Sequence, residues 1–359
     1  MKVGVLSVVP SPYQRDMFRA LNALGGIDLS VSYLEEAAPD SPWPREELED
    51  WESVLPGRTI GRGRVRCHLN SGLPDPGQFD AFIVNSSLTA ASTQGMMRRL
   101  EHRRNQRWYF WGEVLRERRG WRRAIQNRLA APLRRASAIV AIGSRAREDY
   151  RRRFPATRLE EIPYHCDIAE FQKAAAHRIP NVTPVFLFCG QMIQRKGIDV
   201  LLAAFERVIT SGSQARLVLA GRDDELPILP DAVRPHIELA GFHAPQSLPA
   251  LFARADVFVL PSRHDGWGVV VNQAIASGLP IISTEAVGAA VDLVEHESNG
   301  LIVPPGEIEP LAEAMRRLAT DAGLRQAMSL EARTRADALT PAAGAERWLE
   351  VLTKTPPED

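Results

Sequence analysis

The strongest constraint on the fold is the regular alternation of short apolar runs with helical patterns along the 359 residues. Each apolar run is typical of a buried strand, and helical segments such as RDMFRALNAL and IDVLLAAFERVI follow many of them. Such alternation predicts parallel sheets with helices on both faces. The predicted strands form two consecutive sets: 3–9, 29–34, 81–85, 108–112 and 138–143, then 185–190, 216–221, 237–241, 257–262 and 280–284.

The two sets of strands predict an α/β protein with two facing Rossmann-like domains, because this chain is longer than one ordinary α/β core. We expect a first domain at 1–170 and a second at 180–339. Residues 165–184 lose the helical period and contain Pro180 and Pro184, which predicts a linker. A last helix at 340–352, with Thr340 as its N-cap, is expected to return to the first domain.

The composition is that of an ordinary globular protein, with 45% hydrophobic and 25% charged residues. The apolar run in MKVGVLSVVPSP is too short for a signal peptide, and no stretch is long enough to predict a membrane span. Three widely spaced cysteines, Cys67, Cys166 and Cys189, match no metal-binding pattern and favour a reducing compartment. We therefore expect a cytoplasmic protein.

The zero net charge conceals a strongly basic segment at 98–153, where 18 arginines stand against five acidic residues. This excess favours contact with an anionic partner, such as the inner face of a membrane or a lipid-linked phosphate. The alternative is a solvated arginine-rich surface. Nucleic acid is the least favoured partner, because the aromatic residues 108–111 form one continuous run, as in a buried strand, and do not alternate with the arginines.

Two loops that follow predicted strands carry the candidate chemistry, since ligands bind at the carboxyl ends of such strands. GQMIQRKGIDVLL opens a helix with Arg195 and Lys196 nearby, which favours a phosphate site or, alternatively, a surface loop with two solvated cations. RHDGWGVV carries Asp265 between a strand and a second helix, with Gln273 two helical turns further on. The alternative for Asp265 is a helix cap.

Other catalytic patterns are absent from the sequence. Asp223 and Asp224 lack an evident third acidic partner for a metal, and the eight histidines show no ligand spacing. The chain also lacks G-x-S-x-G, Walker and G-x-G-x-x-G motifs, which argues against hydrolases, NTPases and dehydrogenases. We expect neither a metal nor a cofactor.

Residues 184–335 resemble the donor-binding domain of retaining glycosyltransferase family 4, which has the GT-B fold. The similar segments are FCGQMIQRKGIDVLLAAFERV, LVLAG, IELAGFHAPQSLPALFARADVFVLPS, HDGWGVVVNQAIASGLPIIST and NGLIVPPGE. The first half is similar more loosely, through VVPSPYQRDMFRAL, SAIVAIGSRAREDY and EIPYHCD. The resemblance implies a metal-independent enzyme that binds a nucleotide sugar.

The resemblance also implies roles for individual residues. Lys196 corresponds to the contact with the donor diphosphate, Asp265 to the acid that faces the donor sugar, and Gln273 to the acid that grips the ribose. Glu113, just past a predicted strand and at an expected helix start, lies near the position of an active-site histidine in many members. The alternative for Glu113 is a structural carboxylate at the helix start. The remaining donor-binding positions are Gln191, Arg195, Gly241, Phe242, His243, Gly266, Trp267, Gly268 and Val269.

Three residues depart from the family's pattern. Gln191 stands where an arginine is frequent, Asp265 replaces a glutamate, and Gln273 replaces the second glutamate. An amide accepts from a ribose hydroxyl without the charge of a carboxylate, which weakens donor binding by roughly 1–2 kcal/mol.

The expected function is retaining transfer of a hexose from a nucleotide sugar to a cell-surface polysaccharide or glycolipid precursor. The two domains are expected to close over the donor and exclude water. The amides at positions 191 and 273 motivate an alternative, a degenerate GT-B homologue that binds a nucleotide sugar or glycan without transferring it. An epimerase or phosphorylase of the same fold is disfavoured, because the similar segments are those of family 4.

Overall fold

The computed structural model describes residues 1–37, 46–62, 65–103, 105–115, 117–223 and 225–354. The chain divides into two compact units. The first consists of Met1–Tyr164 together with the last helix, and the second of His165–Thr340. This division falls after Tyr164, whereas the sequence predicted a first domain that ends at residue 170.

The first unit is built on a seven-stranded sheet with the order β3-β2-β1-β6-β7-β8-β9, in which all neighbouring strands are parallel. The first unit also contains a separate antiparallel hairpin, β4-β5, which follows β3 in the chain. The strands of the first unit are β1 (Lys2–Ser7), β2 (Asp28–Tyr33), β3 (Glu52–Val54), β4 (Gly57–Arg62), β5 (Val65–Asn70), β6 (Ala81–Asn85), β7 (Arg107–Gly112), β8 (Ala138–Ala141) and β9 (Leu159–Glu161). Its first helices are α1 (Pro12–Ala23), α2 (Ala91–Glu101), α3 (Gly120–Ala130) and α4 (Ser144–Arg153).

The second unit is built on a six-stranded parallel sheet with the order β12-β11-β10-β13-β14-β15. Its strands are β10 (Val185–Cys189), β11 (Arg216–Ala220), β12 (Ile237–Gly241), β13 (Val257–Leu260), β14 (Ile281–Thr284) and β15 (Gly300–Val303). Its helices are α5 (Ala169–Ala176), α6 (Ile198–Thr210), α7 (Leu248–Ala253), α8 (Val270–Ala276), α9 (Gly288–Leu293), α10 (Ile308–Thr320) and α11 (Ala322–Thr334).

Continuous apolar strands explain why both sheets are buried. All residues of β6 and β8 in the first unit, and of β13 and β14 in the second, are buried. Strands covered by helices on both faces need apolar side chains at every position rather than at alternate ones. The structure thus confirms the predicted fold class of two parallel α/β sheets.

The last helix, α12 (Pro341–Thr353), returns to the first unit, as the predicted fold class requires. Trp348 is buried and lies edge-on to Tyr109 and Trp111 of β7. The Arg107 guanidinium donates to the carbonyl oxygen of Leu352 at 2.9 Å, which fixes the end of the helix beside the start of β7. The aromatic run at 108–111 is therefore the buried strand that the sequence predicted.

The sequence interpretation missed several elements. Strands β3, β9 and β15 are only three or four residues long, and hairpin β4-β5 lies in a segment for which no strand was predicted. The predicted linker at 165–184 carries α5, which buries Phe171 and Ala175. A helix of eight residues is too short for its period to stand out from the flanking polar residues.

Within the described ranges, every helix falls short of the length and apolar character needed to cross a bilayer.

Candidate functional site

The strand order of the second sheet reverses between β10 and β13. Chain connections run from β10 through β11 to β12 on one side, and from β13 through β14 to β15 on the other. In open α/β sheets, ligands bind outside the carboxyl ends of the strands where the order reverses. The two loops that leave this point contain residues 190–197 and 261–269, which are the two segments that the sequence selected.

A tight contact between the two backbones holds the loops together. Gly197 has φ +75°, and a Cβ atom at this position would lie 2.1 Å from the carbonyl oxygen of Pro261. The Arg263 amide also donates to the carbonyl oxygen of Arg195 at 2.9 Å. Only glycine allows this left-handed turn at this separation, so the turn Gln194–Lys196 rests directly on the end of β13.

This contact brings Lys196 and Asp265 together as an ion pair. The Lys196 ammonium donates to a carboxylate oxygen of Asp265, and the two side chains are only 14% and 12% exposed. A partly buried pair is less screened than a surface pair. The sequence placed both residues in one site, and the structure places them in direct contact.

Asp265 is held by its backbone and does not cap a helix. Its amide donates to the carbonyl oxygen of Ala286 at 3.0 Å, and its own carbonyl oxygen accepts from Gly288 at 3.3 Å. Helix α8 has Val269 as its N-cap residue and no side-chain cap. The alternative interpretation of Asp265 as a helix cap is therefore wrong.

The loop around Trp267 is fixed on the same framework. The Trp267 carbonyl oxygen accepts from the Ala289 amide at 2.8 Å, and its buried indole donates to Asn272 at 3.1 Å. The Thr284 hydroxyl donates to the carbonyl oxygen of Ser262 at 2.6 Å. The indole packs inward, so this loop can offer a ligand its backbone rather than the Trp267 ring.

Consecutive backbone N–H groups of this loop have no acceptor among the residues that the structure describes. They belong to Gly266, Trp267, Gly268, Val269 and Val270. Only the last of these lies in α8, so most of the free N–H groups belong to the loop that precedes the helix. Neighbouring free N–H groups suit an anion or a set of hydroxyl oxygens.

The arginines of the two loops are engaged in structural contacts. Arg195 donates to the carbonyl oxygen of His264 at 3.1 Å. Arg263 holds the Asp199 carboxylate through two bonds of 2.6 and 2.7 Å, and this contact lowers the pKa of Asp199. Arg195 thus joins the loops, and Lys196 is the cation beside the loop's free N–H groups.

Gln191 is half-buried and lies in the first turn after β10. The residues on either side of it, Gly190 and Met192, each donate a backbone hydrogen bond. The Gly190 amide donates to the carbonyl oxygen of Ala220 at 2.9 Å, and the Met192 amide donates to the carbonyl oxygen of Arg222 at 2.8 Å. Cys189 precedes this turn, and burial raises the pKa of its thiol to about 12, although Lys196 nearby acts in the opposite direction. The thiol therefore stays neutral, and the local charge is that of the Lys196–Asp265 pair.

Gln273 lies in the first turn of α8 and not two helical turns beyond the loop, which corrects its predicted position. It is half-buried, and its side-chain amide forms no hydrogen bond with any residue that the structure describes. The amide is thus available to a ligand beside the free N–H groups.

The segment Gly241–His243 begins at the last residue of β12, two strands away from β10. Gly241 has φ +72°, Phe242 is exposed, and the His243 imidazole contacts the Ser247 hydroxyl at 3.2 Å. An exposed aromatic ring at the carboxyl edge of the sheet offers a stacking surface for a flat ligand.

Glu113 belongs to the first unit and lies in the loop after β7, with an exposed side chain. Its carbonyl oxygen accepts from the Tyr150 hydroxyl at 2.8 Å. Burial, and secondarily the charge of Glu113, raise the pKa of Tyr164 well above its ordinary value. The expectation that Glu113 starts a helix is wrong, because α3 begins only at Gly120.

The sequence interpretation missed Ser262. It lies two residues past the end of β13, and its fully buried hydroxyl has no hydrogen-bond partner among the described residues. Its position at the end of VFVLPS, where a ligand site was predicted, was the signal that could have found it.

Residues that could hold a metal are not grouped in the described part of the chain, where no cluster of three or more His, Cys, Asp or Glu side chains occurs. Of the acidic pair considered from the sequence, Asp224 lies outside the described residues.

Comparison with known proteins finds a family match within the second unit. Residues 183–321 match the family described as glycosyl transferases group 1. An alpha-D-kanosaminyltransferase of Streptomyces kanamyceticus is 26% identical over 55% of this chain and 55% of its own length. A GDP-mannose-dependent alpha-(1-6)-phosphatidylinositol monomannoside mannosyltransferase of Mycobacterium tuberculosis is 29% identical over 50% of this chain and 51% of its own. The matches thus span about half the length of these curated relatives.

Solved structures extend the likeness to both units. HepE of Anabaena in complex with UDP superimposes with a TM-score of 0.73 at 18% identity, covering 98% of this chain and 100% of its own. Sucrose-phosphate synthase of Thermosynechococcus elongatus gives 0.70 at 21% identity, covering 98% of both chains. The chain therefore has the GT-B fold, and its second unit carries a domain of the group 1 glycosyltransferase family.

The contact between Gly197 and Pro261 makes a prediction about stability. We expect Gly197→Ala to lower the free energy of unfolding by about 2–4 kcal/mol, because a left-handed alanine is strained and its Cβ also meets the Pro261 carbonyl. Gly212→Ala is the matched control, since Gly212 has φ +88° but open space around it. The control should lose only about 1 kcal/mol. Equal losses in denaturant titrations would show that the close approach is unimportant.

Proposed function

We propose that the protein is a metal-independent retaining glycosyltransferase that moves a hexose from a nucleoside-diphosphate sugar to a polysaccharide or glycolipid precursor. The observation that carries this proposal is the Lys196–Asp265 pair beside the free N–H groups of residues 266–270. It places a cation, a carboxylate and backbone donors together at the end of β13.

The donor diphosphate lies against Lys196 in this proposal. Lys196 supplies a full positive charge, and the N–H groups of the 266–270 loop supply oriented dipoles. The loop is already fixed by its bonds to the segment after β14, so little reorganisation is needed when the ligand binds. These groups perform the charge neutralisation for which other enzymes use a divalent metal.

The nucleoside extends from the diphosphate along the carboxyl edge of the sheet. Gln273 offers its amide to the ribose hydroxyls, and Phe242 offers its ring to the base. Gly241 and His243 lie on either side of Phe242, and Gln191 and Arg195 complete the diphosphate end of the site.

Transfer breaks the bond between the sugar C1 and the diphosphate oxygen, and forms a bond from C1 to an acceptor hydroxyl on the same face. The leaving phosphate oxygen takes the acceptor proton. Negative charge grows on the diphosphate as the first bond breaks, so Lys196 and the N–H groups stabilise the transition state more than the bound donor. Asp265 orients the Lys196 ammonium and the sugar hydroxyls. We assign Glu113 to the acceptor side.

The substrate class is supported by the relatives. Their names include a kanosaminyltransferase, a GDP-mannose-dependent transferase of phosphatidylinositol monomannosides and a capsular polysaccharide glycosyltransferase, and HepE was solved with UDP. We place the reaction in the cytoplasm, at the inner face of the membrane.

Lys196 tests donor binding. We expect one of UDP, GDP, ADP and CDP to bind without added metal, and Lys196→Ala to weaken that binding by tenfold or more, because a charged hydrogen bond to phosphate is lost. Isothermal titration calorimetry measures both. The control is Lys173→Ala, which removes an exposed lysine that pairs with Glu170. Undiminished binding in the Lys196 variant would mean that the diphosphate does not bind at Lys196.

The variant Asp265→Ala distinguishes a transferase from a protein that only binds the nucleotide sugar. We expect Asp265→Ala to lower the transfer rate by about a hundredfold or more while the nucleotide still binds, since its partner Lys196 remains. The assay follows nucleoside-diphosphate release from the donor sugar in the presence of a bacterial lipid extract. Asp231→Ala, which removes a fully exposed carboxylate, is the control. Equal rates in both variants would favour a glycan-binding homologue without transferase activity.

Gln273 tests the ribose contact. We expect Gln273→Glu to tighten nucleotide binding about tenfold, because a carboxylate accepts from both ribose hydroxyls with charge assistance. The gain should be smaller for the 2′-deoxy nucleotide, which lacks one of these hydroxyls. A gain of the same size for both nucleotides would place Gln273 away from the ribose.

A further inference from the structure

Helix α3 presents an apolar face to solvent. Trp121 and Ile125 are 69% and 49% exposed. They lie one helical turn apart, and Arg128 continues the same face. The end of the helix packs on the protein, where Gln126 and Leu129 are half-buried and Ala130 is buried, whereas residues 120–125 are all exposed. A surface helix of a globular protein normally has the reverse pattern, with its apolar stripe facing the core.

The arginines around this face have no acidic partner among the described residues. Helix α3 contains three arginines and no acidic residue, and the segment 116–135 holds eight arginines with Glu117 as its one acid. Arg118, Arg119, Arg122 and Arg128 are exposed, and none forms an ion pair with any residue that the structure describes. In α4, by contrast, Arg152 and Arg153 bind the Asp149 carboxylate at 2.8 and 2.9 Å. Arginines without an ion pair among the described residues also occur in α4, at positions 145, 147 and 151, but those on and next to α3 flank an exposed tryptophan.

We infer that α3 seats this chain on a bilayer that contains anionic phospholipid. Trp121 and Ile125 enter the boundary between headgroups and acyl chains, and the four arginines contact lipid phosphates. A helix that lies in a membrane interface needs a tryptophan-containing apolar face with cations beside it, and α3 has both. The two features together favour a lipid surface over free phosphate or a soluble polyanion, because neither of these has an apolar part that would bury Trp121.

A second copy of the chain fits this surface less well. If two α3 helices packed through Trp121 and Ile125, their arginines would face each other without an acidic residue in either helix. Phosphate headgroups instead match the positive charge. The inference concerns the first unit alone and holds whichever nucleotide or acceptor the protein uses.

The test is sedimentation of the full chain with vesicles of phosphatidylcholine, alone or with about a third phosphatidylglycerol, at about 0.15 M salt. The chain should bind the mixed vesicles and not the neutral ones. Trp121→Ser with Ile125→Ser should lower the partition constant about tenfold, because the apolar contact is lost. Arg118→Gln with Arg122→Gln should lower it at least tenfold, since each cation near an anionic surface contributes about fivefold.

Matched controls remove the same chemistry from other places. Leu330→Ser replaces an apolar side chain of α11 that is 64% exposed, and Arg216→Gln with Arg347→Gln removes two exposed arginines outside 98–153. Both controls should bind like the unmodified chain. Thermal unfolding should be unchanged in all variants, because every substituted side chain is exposed.

Three results would overturn the inference. Full binding by the Trp121 and Ile125 variant would mean that α3 does not enter the bilayer. Equal weakening by the arginine control would mean that overall charge attracts the chain. Concentration-dependent dimers that the Trp121 and Ile125 variant abolishes, without vesicle binding, would mean that a second copy covers α3.

Discussion

The contact between Gly197 and the Pro261 carbonyl is the constraint on which the candidate site depends. Without it, the turn that carries Lys196 could not rest on the end of β13, and Lys196 could not reach Asp265. The second fixed partner is the segment after β14, which binds Asp265 and Trp267 through backbone hydrogen bonds. Three loops from different strands therefore form one rigid edge, and its N–H groups are held in place before any ligand arrives.

The sequence predicted the long apolar strands and the two ligand loops because both signals are local. Val257–Leu260 is buried at every position, and the glycines of RHDGWGVV lie next to the strand end. The sequence did not predict the Lys196–Asp265 contact itself, since the pairing depends on which strands are neighbours in the sheet. It also missed β9 and β15, whose pairing is supplied by tertiary neighbours rather than by a strong local pattern.

The exposed face of α3 shows a different limit of the sequence. The excess of arginine in 98–153 was evident from composition, but composition does not distinguish paired from unpaired charge. In the structure, α4 pairs two of its arginines with Asp149, whereas the arginines around Trp121 have no acidic partner in the part of the chain that the structure describes. The sequence did not indicate that Trp121 is exposed, because an amphipathic helix can turn its apolar face either inward or outward.

Hydrogen exchange of the loop amides tests the central claim most directly. The N–H groups of Gly266 to Val270 have no acceptor among the described residues, so they should exchange quickly in the unliganded protein. If they hold the donor diphosphate, the nucleoside diphosphate that binds should slow their exchange about tenfold or more, while the parent nucleoside should not. Exchange that stays fast at 266–270 while the nucleotide is bound would contradict the account.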